Sequence, residues 1–182
     1  SLSGTSKMAW SRDLVAMVGG RAEDFERAQP VLNAIARKSY YLGPGGTGAR
    51  TKLIVNLVLG LNRLALAEGL VLGMKAGMDV ETLLAVLKDG AAYSREMDSC
   101  GEKMIRADYT PEIALLRIHH KDVRLMLEQG RHYNAPMWFT SLMEQFLQAA
   151  GSSGLSEADS SAIIEVYRAF AGIPARQPLA GT

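Results

Sequence analysis

One glycine-rich stretch divides this sequence into two parts of different character. It reads Gly43-Pro44-Gly45-Gly46-Thr47-Gly48-Ala49-Arg50-Thr51-Lys52-Leu53-Ile54-Val55-Asn56. The residues before it alternate between short strand-like runs and one helix-like run, whereas the residues after it show only helical periodicity. The sequence therefore predicts a mainly α fold that is preceded by a short β-α-β segment.

Two short strands are predicted before the glycine-rich stretch. Residues 14–18 form a β-rich apolar run that Gly19-Gly20 ends, and residues 39–42 form another. Between them, Glu23 and Asp24 fit a first helical turn and apolar residues recur at helical spacing from Phe25 to Ile35, and Pro30 inside that run favours a kink. Two strands and one helix cannot close a core alone, so we expect them to be the edge of a larger sheet.

After the glycines, residues 49–76 predict one long helix that is apolar on almost every side. Such a helix is buried on every side, either as the central helix of a helical domain or within an oligomer interface. Gly77 fits its C-terminal cap, and Asp79 fits the N-cap of a short helix that ends at Leu87. Four further helices are predicted at residues 94–105, 109–129, 136–150 and from Asp159 to about 171.

Composition excludes several classes of protein. The chain has 182 residues, 20 Lys and Arg against 19 Asp and Glu, and a formal net charge of +1, so it shows no electrostatic footprint for nucleic acid or an anionic membrane. Its longest charge-free apolar stretch, residues 53–62, is well short of the roughly 20 residues of a membrane span. The single Cys100 excludes an internal disulfide and a cysteine-built zinc site, and it fits a reducing, cytoplasmic location.

The glycine cluster satisfies the pattern G-x-G-x-x-G, which invites comparison with a dinucleotide-binding loop. That loop requires an acidic residue at the end of a further strand about 20 residues later, whereas here the helix continues and Glu68 lies within it. A Walker A loop requires Lys after the last glycine, where this chain has Ala49. The glycines therefore favour a tight joint between strand and helix over a phosphate cradle.

Lys52 and Asn56 are four residues apart just beyond that joint, so they project from the same face of the helix. Spacing alone leaves two interpretations open. Lys52 is either an ordinary solvated lysine at a helix start, or a cleft lysine that acts as a general acid or base beside an amide that holds a substrate oxygen.

A second polar cluster contains His119, His120, Lys121 and Asp122 in the middle of a helix. Adjacent histidines on a helix point about 100° apart, so with His132 they predict no metal site. From spacing alone, Lys121 and its neighbours favour a solvated polar face.

Taken together, these residues resemble the β-hydroxyacid dehydrogenase family, which contains 3-hydroxyisobutyrate dehydrogenase and tartronate semialdehyde reductase. Residues 43–56 are similar to the family signature G-x-x-G-x-G-x-x-x-K-x-x-x-N, and residues 14–20 resemble its L-x-x-M-V-G-G strand. Residues 3–5 resemble its Ser-Gly-Gly substrate-binding segment, with Thr5 in place of the last glycine. Residues 116–122 resemble L-x-L-x-x-K-D, although Ala114 replaces the usual phenylalanine.

The resemblance implies a 6-phosphogluconate-dehydrogenase-like C-terminal helical domain built on a long central helix. Its expected domains are residues 1–45, a remnant of a nucleotide-binding domain whose first part is missing, residues 46–172, a substrate and dimerisation domain, and residues 173–182, a tail. The implied reaction oxidises a small 3-hydroxy acid with NAD or NADP, and this chain alone is expected to be inactive. The implied partners are the substrate and a second copy, with no nucleic acid and no membrane.

The resemblance also assigns a role to each candidate residue. They are the catalytic acid/base Lys52, the substrate-binding residues Ser3, Gly4, Thr5 and Asn56, and Lys121 near the nicotinamide. Two alternatives remain open, a non-catalytic helical dimerisation module and a relative of the imine reductases. Lys52 together with Asn56 favours the hydroxyacid branch over the imine branch.

Overall fold

A computed structural model describes residues 1–4, 6–111 and 114–174. Most of this part of the chain is helical, and a small three-stranded sheet lies at its beginning, so the predicted fold class is confirmed. The chain divides into two compact units, Ser1–Asn56 and Leu57–Thr182, which we call the N-terminal unit and the helical unit. The domain boundary expected at residue 45 stays a prediction.

The elements follow one another in this order. They are β1 (Leu2–Ser3), α1 (Ser6–Trp10), β2 (Val15–Val18), α2 (Ala22–Ile35), β3 (Lys38–Tyr41), α3 (Thr47–Lys75), α4 (Val80–Asp89), α5 (Arg95–Arg106), α6 (Leu116–His132), α7 (Trp138–Ser152), a 3₁₀ helix (Ser160–Ile163) and α8 (Ile164–Phe170).

The N-terminal unit is built on the strand order β1-β2-β3. β1 runs antiparallel to β2, and β2 runs parallel to β3 with α2 as the crossover between them. The fully buried apolar side chains of this small core are Leu14, Ala16 and Ala36. α2 continues through Pro30 and buries none of its own residues. The sequence does not predict β1 or α1, because two and five residues are too few to show a period.

α3 is one unbroken helix, as predicted, but it is not buried on every side. Leu64 and Leu70 are buried, whereas Val58 and Leu72 are 52% and 70% exposed. Apolar residues therefore lie on a covered face and on an open face. The expectation of burial all round is wrong within this chain, because the packed neighbours cover one face only.

α3 is also the one helix among the described residues that is long and apolar enough to cross a membrane, by length and composition alone. Of its most apolar 18-residue window, 44% is buried inside the protein. The core helix of a soluble protein meets the same two criteria, so this finding carries little weight. The absence of a membrane partner stays a prediction.

Within the helical unit, α4 begins at a capping residue. The Asp79 carboxylate accepts hydrogen bonds from the backbone N–H groups of Glu81 and Thr82, both at 3.3 Å, which confirms the predicted N-cap of α4. α5 is a regular helix that ends at Ala107 in the left-handed conformation, φ 55°. α7 begins at Trp138, two residues later than predicted.

The predicted start of α6 near residue 109 is wrong, because α6 begins at Leu116 and none of the described residues between Tyr109 and Leu115 is helical. The backbone N–H of Asp159 donates to the Tyr109 carbonyl, and that of Ser160 donates to the Ala114 carbonyl, both at 2.9 Å. These hydrogen bonds hold Tyr109 and Ala114 against the start of the 3₁₀ helix. Glu112, part of the predicted helix opening, lies outside the described residues, as does the tail from residue 175.

Candidate functional site

The glycine stretch forms a joint in which the end of β2 lies directly against the start of α3. A β-carbon on Gly48 would lie 2.5 Å from the carbonyl oxygen of Met17, and a β-carbon on Gly19 would lie 2.8 Å from the carbonyl oxygen of Pro44. The Thr47 hydroxyl donates to that same Pro44 carbonyl at 2.7 Å. Backbone therefore fills the space beside Gly48, which supports the predicted joint over a phosphate cradle.

Lys52 and Asn56 lie on α3 directly after this joint, within the N-terminal unit. Both residues are half-buried, and each takes part in an interaction with another group. The unbroken helix keeps them one turn apart on one face, as their spacing predicts. Their catalytic and substrate-binding roles stay predictions.

The other predicted substrate-binding residues lie at the edge of the same unit. Ser3 is in β1, opposite Val15, and is half-buried. Gly4 has φ +130°, and a β-carbon there would lie 2.5 Å from Cδ2 of Leu14. The positive φ of Gly4 and the lack of room for a β-carbon beside Leu14 both require glycine at this position, independently of any ligand. Thr5 lies outside the described residues.

Lys121 belongs to the helical unit, on the outer face of α6. Its side chain is 67% exposed, and its Nζ lies 3.0 Å from the Asp122 carboxylate. Together with His120 and Arg124 it lines a groove of about 390 Å³. Burial, reinforced by the charge of Arg124, lowers the pKa of His120. This surface fits the solvated polar face that spacing predicts, and it leaves the Lys121 ammonium accessible to a bound molecule.

A buried polar cluster in the helical unit was not predicted from the sequence. Nε of Arg63 on α3 donates to Oε2 of Glu96 on α5 at 2.7 Å, and each side chain is only 8% exposed. Cys100 donates from Sγ to the same carboxylate oxygen at 3.5 Å. The sequence signal for this cluster is Arg63, which lies in the middle of an apolar helix. A guanidinium buried there requires a partner of opposite charge.

Two further groups near this cluster have shifted pKa values. Burial raises the pKa of the Cys100 thiol to about 11, so the thiol is protonated near neutral pH. Burial, with the positive charge of Arg63, lowers the pKa of His119 to about 3, so its imidazole is neutral. Among the described residues, no three His, Cys, Asp or Glu side chains come together as a metal site would require.

Residues 46–167 match the family profile described as NAD-binding of NADP-dependent 3-hydroxyisobutyrate dehydrogenase. This match covers more than half of the chain. The chain belongs to the 3-hydroxyisobutyrate dehydrogenase-like family of β-hydroxyacid dehydrogenases. Residues 1–43 match the profile of the NAD binding domain of 6-phosphogluconate dehydrogenase. The resemblance read from the sequence motifs is therefore confirmed, and with it the family's use of NAD or NADP.

Individual relatives agree with this assignment. The chain is 36% identical over 173 residues to 2-(hydroxymethyl)glutarate dehydrogenase of Eubacterium barkeri, a match that covers 94% of the chain and 57% of that relative. It is 34% identical over 167 residues to glyoxylate/succinic semialdehyde reductase 1 of Arabidopsis thaliana, covering 92% and 57%. The structure of a 3-hydroxyisobutyrate dehydrogenase from Salmonella typhimurium matches with a TM-score of 0.85 at 26% identity, covering 91% and 58%.

The chain thus spans a little over half the length of these relatives and corresponds to their C-terminal part. Within the described residues, this part holds four of the six predicted site residues in the N-terminal unit and Lys121 in the helical unit. The sixth is Thr5.

Proposed function

We propose that this chain is the C-terminal part of an NAD(P)-dependent dehydrogenase that oxidises a small 3-hydroxy acid or reduces the corresponding semialdehyde. One observation carries the proposal: in a member of this family, Lys52 and Asn56 share one face of α3 directly after the glycine joint. The name of one curated relative supports this substrate class, since 2-(hydroxymethyl)glutarate is a 3-hydroxy acid. Glyoxylate and succinic semialdehyde, in the name of the other, share with it a carboxylate and a carbon at the alcohol or aldehyde level, which supports the broader class of small hydroxy acids.

In the proposed mechanism Lys52 is the general acid and base for the proton of the substrate hydroxyl. In the direction of oxidation its amine accepts the proton of the substrate hydroxyl, and in the direction of reduction its ammonium returns it. Asn56, one turn later, donates from its amide to a substrate oxygen. Ser3, Gly4 and Thr5 hold the substrate carboxylate through a hydroxyl and backbone N–H groups.

Among the described residues, the one that we assign to the cofactor concerns its nicotinamide end. Backbone packing occupies the space beside Gly48, so the glycine pattern does not hold a pyrophosphate there. We assign Lys121 to the nicotinamide because the family resemblance implies it, and its ammonium is exposed and therefore accessible. When bound, NAD or NADP accepts the hydride from the hydroxyl-bearing carbon.

We also propose that the protein is a homodimer that uses the open face of α3. The exposed apolar residues on this face are Ile54, Val58 and Leu72, at 62%, 52% and 70%. An isologous contact between two copies is the commonest way to cover such a surface. Light scattering of the full-length protein should give a dimer, and a monomer at high micromolar concentration would contradict this arrangement.

The acid/base role is tested by Lys52→Ala in the full-length enzyme. We expect kcat to fall by about 10²-fold or more with cofactor binding nearly unchanged, because a lost proton acceptor affects the chemical step. Lys52→Arg should not restore activity, since a guanidinium stays protonated. Asn56→Ala should mainly raise KM.

The matched control is Lys75→Ala, which removes an exposed lysine from the last turn of the same helix. It should leave kcat and KM unchanged. If Lys52→Ala kept more than about a tenth of the wild-type kcat while chemistry limits the rate, the acid/base assignment would be wrong.

A further inference from the structure

The groove of about 390 Å³ between α6 and α7 has a mostly basic charged lining, and it lies entirely within the helical unit. Arg117, Lys121 and Arg124 line it from α6, together with the carboxylate of Glu128. These residues follow one another at spacings of four, three and four, so they share one face of the helix. A row of cations along a concave surface fits a ligand that carries negative charge.

The two arginines each have an acidic neighbour, as Lys121 does. Nε of Arg117 lies 2.7 Å from Oε1 of Glu157, and these side chains are 55% and 71% exposed. Arg124 is paired less closely, since its Nε lies 3.8 Å from Oε1 of Glu144, which is longer than a hydrogen bond. Exposed ion pairs contribute little free energy, and a guanidinium has several N–H donors. Arg124 is therefore the cation of this row that binds an anionic ligand at the lowest cost.

His120 adds a polar atom without a partner to the same lining. Its Nε2 is buried and has no hydrogen-bond partner within the part of the chain that the structure describes. Burial, and then the positive charge of Arg124, lower the pKa of His120, so the two side chains interact. A buried polar atom without a partner is costly, and a ligand oxygen that accepts a hydrogen bond from Nε2–H removes this cost.

We propose that the groove binds a second carboxylate of the substrate, with Arg124 as its anchor, so that the preferred substrate is a hydroxy dicarboxylate. This inference rests on the proposed function, which assigns Lys121 to the nicotinamide. Hydride transfer requires the reacting carbon to lie against the nicotinamide, so the rest of the substrate lies beside Lys121 as well. Arg124 follows Lys121 by one turn on the same face, about 4.5 Å along the helix axis, which a side arm of a few carbons spans.

The role of Arg124 is tested in the full-length enzyme with two substrates that undergo the same reaction. 2-(Hydroxymethyl)glutarate carries a carboxyethyl arm where 3-hydroxyisobutyrate carries a methyl group. The wild type should show a kcat/KM at least about tenfold higher for the dicarboxylate. Arg124→Met should raise the KM for the dicarboxylate at least about tenfold more than the KM for 3-hydroxyisobutyrate. Arg124→Lys should recover part of this loss, because it keeps the charge without the planar fork.

The matched control is Arg131→Met, which removes an exposed arginine from the last turn of α6, outside the groove lining. It should leave both KM values unchanged. If Arg124→Met raises the two KM values equally, Arg124 does not bind the second carboxylate and the proposal is wrong. The phosphates of the cofactor are the other anionic oxygens that suit the groove, so a raised KM for NAD or NADP with an unchanged substrate preference would also overturn it.

A binding measurement separates this inference from the proposed function. In calorimetry of the full-length enzyme, glutarate should bind at least about tenfold more tightly than butyrate, which lacks the second carboxylate. Arg124→Met should abolish this difference, and Arg131→Met should keep it. If the enzyme oxidises no hydroxy acid, the proposed function fails, while the preference for glutarate still tests the groove. Equal binding of glutarate and butyrate by the wild type would overturn the carboxylate site.

Discussion

The two units of this chain achieve close packing in different ways. In the N-terminal unit a glycine brings backbone against backbone, since a β-carbon on Gly48 would meet the Met17 carbonyl oxygen at 2.5 Å. In the helical unit Gly60 faces the ends of side chains instead: a β-carbon there would meet the His119 imidazole at 2.5 Å and the Met143 sulfur at 2.8 Å. The distances are similar, but backbone atoms would have to move beside Gly48, whereas only the ends of side chains would have to move beside Gly60.

This difference determines how each unit responds to added bulk. The end of β2 is held by ladder hydrogen bonds to β3 and by the bond from the Leu42 N–H to the Val18 carbonyl at 2.8 Å, so its carbonyls cannot withdraw without breaking the sheet. A methionine side chain can adopt another rotamer. The joint ahead of Lys52 is therefore the less adjustable of the two contacts, which suits the catalytic role that we propose for Lys52.

The largest effect is expected for Gly48→Ala. The new methyl group meets backbone that cannot yield, so the free energy of unfolding of the N-terminal unit should fall by about 3 kcal/mol. Hydrogen exchange of the Leu42 and Gly20 amides, which donate across the joint region, measures this directly. Gly45→Ala is the control, since nothing lies within 4 Å of its β-carbon position, and it should change exchange little. Equal exchange in both variants would show that the joint opens easily.

A pH dependence should distinguish the two units, because all three histidines lie in the helical unit. The pKa of buried His119 is lowered to about 3, whereas the unfolded chain titrates near 6.5. The unfolded state therefore binds more protons between these values. Stability is complete above about pH 6.5 and falls as the pH drops, by up to about 1.4 kcal/mol per unit, or about 2 kcal/mol at pH 5. His120 contributes in the same direction, since its pKa is also lowered.

Urea unfolding of the helical unit between pH 5 and 7 tests this dependence. His119→Gln should flatten the profile, whereas His132→Gln, at an exposed histidine, should leave it unchanged. An identical slope in wild type and His119→Gln would show that the imidazole gains its proton without penalty in the folded state.

The sequence predicted those features whose causes are local. The end of α3 and the start of α4 depend on Gly77 and Asp79, whose conformation and side-chain oxygens act within a few residues. The start of α6 was wrong because Tyr109 and Ala114 bond to residues about 50 positions later, which no local pattern shows. The shared face of Lys52 and Asn56 followed from helical spacing alone. The partner of Arg63 is 33 residues away, so the sequence could show only that Arg63 needed one.

A smaller effect is expected for Gly60→Ala in the helical unit. The added methyl group displaces the ends of His119 and Met143, while alanine also favours the helix by up to about 1 kcal/mol over glycine. We expect a net loss of about 1 kcal/mol, seen as a Tm about 3 °C lower. A loss as large as that of Gly48→Ala would show that the side chains here are as immovable as backbone, and the contrast between the units would fail.

The smallest effect, opposite in sign, is expected for Gly69→Ala on the same helix. Nothing lies within 4 Å of its β-carbon position, so alanine brings only its better helix propensity, about 0.5 to 1 kcal/mol, and Tm should rise by about 2 °C. Gly69 is three residues before exposed Leu72, on the open face of α3. Thermal unfolding of the monomer, in dilute protein, isolates the propensity gain. If the Tm of the wild type rises with protein concentration and that of Gly69→Ala does not, the methyl group disturbs a contact between copies, which would locate the proposed dimer interface at this face.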